Sequence, residues 1–396
     1  LIKVGVLFYR WNYYSYTRTI LHQVPDVEYR KVYDYYSLVN YASQKINHLA
    51  RHSLINTFNL NNQFDDLGLN SIDIVHLFNG ISYGKTPWVS NFETLLPRFK
   101  GLLSKYNPKP DTLSLDAKER RAFDALSGDA CKQLIALSDC TRRIQLDLMS
   151  RLKIDSRKIN AKLTVLAPPQ VKMVNTYDEK GLDVDGPIRF VLVGAGFFRK
   201  GGREILRVFE HFVRVHHYPI ELSIISSLRM DYYAAHETED DLQWTKETIA
   251  KNLDWITHYS RLPNDQVLEL MKTVHVGLLP TYADTYGFSV LEFQANGVPV
   301  ITTNIRALPE INDEKTGWMI DVPHDALGEA YYQSDEHRIQ LSKAIEEGLE
   351  RTIHDIFADL GSIRVKGIAS LDKIERQHDP INYAKHLMEI YQRALA

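Results

Sequence analysis

PTYADTYGFSVLEFQANGVPVITTNIRALPEI, residues 280–311, is the stretch from which the rest of this 396-residue chain is read. The apolar run HVGLLP, 275–280, leads into it with the composition of a buried strand and stops at Pro280. A loop with Asp284 and Gly287 follows. A helix is then predicted from about Phe288 or Ser289 through Glu292, closed by Gly297 and Pro299, after which PVITTN, 299–304, reads as the next strand. A loop that feeds a helix at the carboxyl end of a parallel strand presents backbone N–H groups and the positive end of the helix dipole to an anion. In an open α/β sheet that edge is also where ligands bind. Asp284 lies before the helix and Glu292 one turn inside it. The two carboxylates would flank a diphosphate without touching it and accept hydrogen bonds from hydroxyls on either side, which is the chemistry of a nucleotide sugar. A dipole-favoured acid and a solvated glutamate explain the same two residues without any ligand.

A second stretch lies upstream. RFVLVGAG, 189–196, is a strand; Arg199, Lys200, Gly201 and Gly202 form a basic, glycine-containing loop; and Ile205, Leu206, Val208, Phe209 and Phe212 fall at helical spacing after it. Glycines let a backbone approach phosphate oxygens and the cations neutralise them. The spacing is neither that of the dinucleotide fingerprint nor that of a P-loop.

Farther out, the alternation repeats along the chain. IKVGVLF (2–8), IDIVHLF (72–78), WVSNF (88–92), LIALS (134–138) and LTVLA (163–167) are strands of a first half. The two stretches above, with ELSIIS (221–226) and LDWITHY (253–259), make a second. Strands separated by helical stretches specify parallel α/β construction, so two Rossmann-like domains are expected. The polar segment 174–187 reads as their connector, giving a first domain over 1–182 and a second over 183–380, with a terminal helix over 381–396.

Composition narrows the class further. Hydrophobic residues at 44% and charged residues at 24%, with 20 Gly and 15 Pro, describe a globular chain and exclude disorder, collagen and coiled coil. No apolar run reaches the roughly 20 residues of a membrane span, and the first residues lack the apolar core of a secretion signal. Two cysteines, Cys131 and Cys140, make neither a disulfide framework nor a zinc cluster, which fits a reducing, cytoplasmic compartment. The net charge of −3 hides an asymmetry: residues 1–182 carry 25 Lys and Arg against 17 Asp and Glu, the remainder 22 against 33. The basic run between Arg142 and Lys162 would meet an anionic membrane, the cytoplasmic face of a bilayer, or simply be a solvated helix face. No nucleic-acid-binding module accompanies it, and no nucleic-acid partner is expected.

Taken in order and at this separation, the two stretches resemble the retaining GT-B glycosyltransferases of family 4. The resemblance is dense from about 189 to 322 and includes the lysine–glycine loop, the PT loop, GFSVLEFQANGVPVITT and the pair Pro309–Glu310. It implies two Rossmann-like domains facing across a cleft, the second holding the nucleotide-sugar donor and the first a saccharide or lipid-linked acceptor, with the terminal helix crossing back to the first domain. It implies a retaining, metal-independent hexosyl transfer, as in polysaccharide biosynthesis, with no cofactor beyond the donor substrate. Carried over, Lys200 with Arg199 and Gly201 binds the donor diphosphate, Gly287 and the amides of Phe288, Ser289 and Val290 support it, and Glu292 binds the ribose. Asp284 stands where the family's first glutamate meets the transferred sugar. HYSRLP, 258–263, varies most within the family, but it follows a strand and should face the cleft, so Tyr259 or Ser260 is expected to touch the base or ribose.

This chain departs from the family at four places. Ala195 occupies the position of the usual arginine, for which Arg199 substitutes. Asp284 is one methylene shorter than glutamate. FYRWNYY, 8–14, with Arg10, replaces the glycine-rich first loop and suits a bulky acceptor. Glu93 stands where relatives carry a histidine near the reacting sugar; it would bind a hydroxyl, stabilise positive charge or take the acceptor proton, or be a loop residue paired with Arg98 or Lys100. His76, at the end of IDIVHLFNG, is a second candidate beside the acceptor or an ordinary strand-end histidine; Ser138 and Asp139 suit a helix N-cap equally well; and the aromatics of 32–41 are either packing or acceptor contacts. Two other readings stay open: a catalytically degenerate GT-B protein that binds nucleotide or glycan as a partner or scaffold, and a sugar-nucleotide epimerase.

Overall fold

The computed structural model describes residues 1–396 apart from Ser53, Pro108 and Asp183. Asp183, where the sequence places the start of the second domain, thus lies outside the described residues. The chain forms two compact units, one of 1–169 with 380–396 and one of 170–379.

The first unit is built on six parallel strands in the order β2-β1-β4-β6-β7-β8: β1 Ile2–Leu7, β2 Val27–Val32, β4 Ile74–Phe78, β6 Trp88–Phe92, β7 Cys131–Ala136 and β8 Leu163–Val165. A separate two-stranded pair joins β3 Gln63–Phe64 to β5 Ile81–Ser82. The central strands β4 and β6 are buried at every position, so apolar residues fall on both of their faces rather than alternating, and the polar His76, Ser90 and Asn91 among them are hydrogen-bonded inside the unit. Helix Pro380–Leu395 belongs to this unit and packs on β4 and β7.

His76 is absorbed by that packing. Its Nδ1 is hydrogen-bonded to Tyr391 Oη at 2.7 Å and its Nε2 to Asn91 Oδ1 at 3.0 Å, and the ring is fully buried. An acceptor-binding His76 is therefore corrected to a core residue, since both ring nitrogens are used inside the unit. Burial pushes its pKa down to about 4. The folded value lies below the unfolded one, so its stabilisation is complete above about pH 6.5 and is lost as pH falls toward 4, about 3 kcal/mol in all. The drop in Tm between pH 7 and pH 4.5 should accordingly be smaller in His76→Gln than in the parent chain; equal drops would remove His76 as the cause.

The second unit has the order β11-β10-β9-β12-β13-β14, all parallel: β9 Ile188–Val193, β10 Ile220–Ile225, β11 Ile256–Tyr259, β12 Val276–Leu279, β13 Val300–Thr303 and β14 Gly317–Ile320. Counted within the unit this is 3-2-1-4-5-6, the doubly wound order whose switch point falls between its first and fourth strands, β9 and β12. Segment 174–187 is not a free connector. Val174 and Tyr177 are buried with Leu371, Met173 N donates to Ala295 O at 2.8 Å, and Lys180 Nζ donates to Asn296 O at 2.9 Å. The unit therefore begins at residue 170: apolar contacts from Val174 and Tyr177 decide its edge, and the polar composition of 174–187 conceals them.

Candidate active site

Both stretches singled out in the sequence leave the sheet at the switch point. After β9 the chain passes Gly194, at φ +138°, and turns into helix Gly202–Arg214 through Gly201, at φ +77°. After β12 it passes Pro280 and turns into helix Phe288–Ala295 through Gly287, at φ +91°. The two loops are tied together: Tyr282 N donates to Arg199 O at 2.8 Å and Thr281 Oγ1 to the same oxygen at 3.0 Å, while Thr303 Oγ1 on the next strand donates to Thr281 O at 2.8 Å. Beneath them Glu204 is buried, accepting from Tyr282 Oη at 2.8 Å and Ser342 Oγ at 2.7 Å and paired with Arg203 at 3.1 Å.

This scaffold brings Lys200, Asp284 and Glu292 to one place. The Lys200 side chain lies over Gly194, where a Cβ would come within 2.3 Å of its Cε, so the glycine makes room for the lysine. Lys200 Nζ is 3.6 Å from Asp284 Oδ2. Burial lowers the Lys200 pKa and the neighbouring cation of Arg199 adds to that, while Asp284 and Glu292 oppose it. Asp284 uses its other oxygen to accept from Tyr286 N at 3.2 Å and Gly287 N at 2.9 Å, the last amides before the helix. Its first task is to shape that turn. Glu292 is 5% exposed and lines a cavity of about 430 Å³ together with Gly194, Ala195 and the ends of β10 and β11.

The sequence expectations divide on this geometry. Gly201, Gly287, Phe288, Ser289 and Val290 occupy the two helix starts, and Ser260 lines the cavity with Arg261 and Leu262. Tyr259 does not: it lines a different cavity of about 330 Å³ with Thr257 and Ser223, because its side chain leaves the strand one residue before the chain turns at Ser260. Arg199 stands beside Lys200, but its guanidinium is held by Ala283 O at 2.5 Å and Asp231 Oδ2 at 3.3 Å. It braces the loop rather than lining the cavity. The cations that do line it are Arg229 and Arg261, which sequence reasoning passed over; both follow carboxyl ends of parallel strands, the signal that would have marked them.

In the first unit, Glu93 follows β6 and is anchored there: Asn79 Nδ2 donates to its Oε1 at 3.2 Å, Asn79 Oδ1 accepts from its amide at 3.2 Å, and Arg98 is 4.0 Å away. Arg10 sits over the Tyr13 ring at 4.5 Å, and Phe8 stacks on Tyr33 with centroids 4.5 Å apart. Ser138 caps helix Asp139–Leu152 by accepting from Thr141 N at 3.0 Å. The arginines of the basic run from Arg142 have acidic partners, Arg142 and Arg143 in Asp139, Arg151 in Asp147 and Arg157 in Asp155, and Lys162 Nζ donates to Gly128 O, but the run keeps a net positive charge. Among the described residues no group of three His, Cys, Asp or Glu is arranged to hold a metal ion, and no helix is long and apolar enough to cross a membrane.

Two doubly wound parallel sheets, the second with a basic loop and an acid-flanked helix start at its switch point, define a GT-B protein. Residues 174–348, rather less than half of the chain, match the family described as glycosyl transferases group 1. The chain is 28% identical over 145 residues to D-inositol 3-phosphate glycosyltransferase of Paenarthrobacter aurescens, a match covering 34% of this chain and only 33% of that relative. Among solved structures it resembles a glycosyltransferase from Rickettsia africae, at a TM-score of 0.54 and 14% identity over 93% of this chain and 86% of that one. It also resembles Anabaena HepE in complex with UDP and glucose, at 0.54 and 11% over 92% and 86%. At those identities the structures speak for the fold.

Proposed function

We propose that this protein is a retaining glycosyltransferase that moves a sugar from a nucleoside diphosphate sugar to a hydroxyl of a saccharide or lipid-linked acceptor, in the cytoplasm and without a metal ion or cofactor. The observation that carries the reading is the convergence of Lys200, Asp284 and the start of helix Phe288–Ala295 beside the Glu292 cavity. At 3.6 Å the Lys200–Asp284 pair is longer than a hydrogen bond, and a diphosphate oxygen is the stronger partner for a lysine that burial has already made reluctant to hold its charge alone. Charge developing on the departing diphosphate is met by Lys200 and by helix N–H groups, which act without reorganising. Glu292 accepts from the ribose hydroxyls, with Ser260 and Arg261 beside them in the same cavity. In the first unit, Arg10 is proposed for the acceptor and Glu93, which Asn79 hydrogen-bonds, for the reacting sugar, where it binds a hydroxyl, stabilises positive charge or takes the acceptor proton.

The test is calorimetric titration with UDP, GDP and ADP. One nucleotide should bind at micromolar strength, and Lys200→Ala should weaken it by at least about tenfold, the size of one lost charge-assisted hydrogen bond. A folded protein that binds none of the three would overturn the proposal. Ala195, in place of an arginine, favours a second reading, a nucleotide- or glycan-binding protein without turnover. Any transfer product, or slow hydrolysis of the donor, excludes it.

A further inference from the structure

Helix Tyr35–Ala50 in the first unit is built inside out. The residues it buries are polar: Ser37, Asn40 and Ser43. With Asn47 they make one face, and that face is fastened. Asn40 Nδ2 donates to Asn61 Oδ1, Asn47 Nδ2 donates to Ile55 O at 2.8 Å and its Oδ1 accepts from Ile55 N at 2.9 Å, and Ser37 N donates to Asp34 Oδ1 at 2.9 Å. Those bonds fix the rotation of the helix. The opposite face, at spacings of three and four, is Tyr35, Leu38, Ala42, Ile46 and Leu49, with Leu38 67% and Leu49 82% exposed. A surface helix ordinarily turns such a stripe inward, so a continuous outward one calls for an apolar partner.

Charge says which partner. From residue 35 to 64 there is not one Asp or Glu, while Lys45, Arg51, His48 and His52 lie along or just beyond the helix. Lys45 Nζ sits 4.5 Å above the Tyr41 ring, a cation and an aromatic together at the margin of the stripe, the pairing that suits a headgroup boundary. Sixteen residues make about 24 Å of helix, too short to span a bilayer and long enough to lie in its interface. We infer that this face docks onto an anionic lipid bilayer, with Leu38, Ile46 and Leu49 entering the acyl boundary and Lys45 and Arg51 meeting lipid phosphates. The surface is separate from the basic run 142–162, whose arginines are paired with acids of the same unit and whose Lys153 and Lys158 the experiment below tests directly.

The experiment is flotation of the full chain with vesicles of phosphatidylcholine alone and of phosphatidylcholine mixed equally with phosphatidylglycerol. Binding is expected to the mixed vesicles, and the Leu38→Glu/Leu49→Glu variant should lose at least about tenfold of it, since two exposed leucines become anions at the interface. Because both positions are solvent-facing, that variant should keep the parent Tm and circular dichroism spectrum. Lys153→Glu/Lys158→Glu should bind as the parent does. Raising salt to about 1 M should weaken binding without abolishing it, because apolar burial is not screened. The proposal is overturned if the leucine variant still binds, if the 153/158 variant alone loses binding, or if salt removes binding altogether. It is equally overturned if the stripe instead supports a concentration-dependent dimer that the leucine variant disperses while vesicles go unbound. Nucleotide titration reads the second unit and is indifferent to every one of these outcomes.

Discussion

Glu292→Gln should lower sugar transfer by about two orders of magnitude while leaving the protein folded. The glutamate is 5% exposed on helix Phe288–Ala295 and faces the cavity shared by Gly194, Ala195 and Arg261. Glutamine has the same shape, so the packing of that helix should survive. What it loses is charge. A carboxylate bonded to a sugar or ribose hydroxyl contributes roughly 1.5–3 kcal/mol, which is about a ten- to hundredfold effect. The same charge also helps keep Lys200 protonated against its burial, so the variant weakens the diphosphate partner as well, and the two losses act in one direction. Transfer with the nucleotide identified by titration, or hydrolysis of that donor, measures the effect. Rates within about twofold of the parent, from a protein with unchanged Tm, would end the assignment of Glu292.

Gly201→Ala should cost about 3 kcal/mol of stability or more. Gly201 has φ +77°, and a Cβ there would lie 2.2 Å from the carbonyl oxygen of Pro280. That oxygen cannot retreat easily, because Thr281 and Tyr282 are both bonded to Arg199 O, and Thr303 holds Thr281 from the far side. Gly181 is the control. It too is left-handed, at φ +57°, but a Cβ there meets nothing within 4 Å, so Gly181→Ala should lose only about 1 kcal/mol, the conformational cost alone. Thermal melts of the two variants side by side separate strain from collision. Equal melting temperatures would show that the two loops are not locked as described.

What could be read from the chain, and what could not, follows from burial. β4, β9, β10 and β12 are mostly apolar because both faces of a central parallel strand are largely covered, and such runs are legible without any knowledge of partners even where His76, Arg189, Glu221 or Ser223 interrupts them; β6, with Ser90 and Asn91, is legible from Trp88, Val89 and Phe92. The edge strands β2, VEYRKV, and β14, GWMI, escaped notice: β2 is half-exposed and charged, and β14 is only four residues long. Tyr35–Ala50 shows the same limit more sharply. Its apolar spacing is visible in the sequence, but the helical period alone cannot say which face turns inward; Asn40 and Asn47 settle that through bonds to Asn61 and Ile55.

The sequence by itself determined the alternation of strand and helix, the two loops at 194–202 and 280–288, and the residue types that could hold a diphosphate, because these are local: a strand's apolar run, a glycine at a tight turn, an acid before a helix. Only the tertiary structure decided which of the candidates meet. It placed Lys200 against Asp284, moved Arg199 from ligand contact to loop brace, buried His76 against Tyr391, drew Arg229 and Arg261 into the cavity and gave 174–187 to the second unit. The physical reason is that a polar side chain has several acceptors of comparable strength, and which one it takes is fixed by residues tens or hundreds of positions away that the fold happens to bring within hydrogen-bond reach.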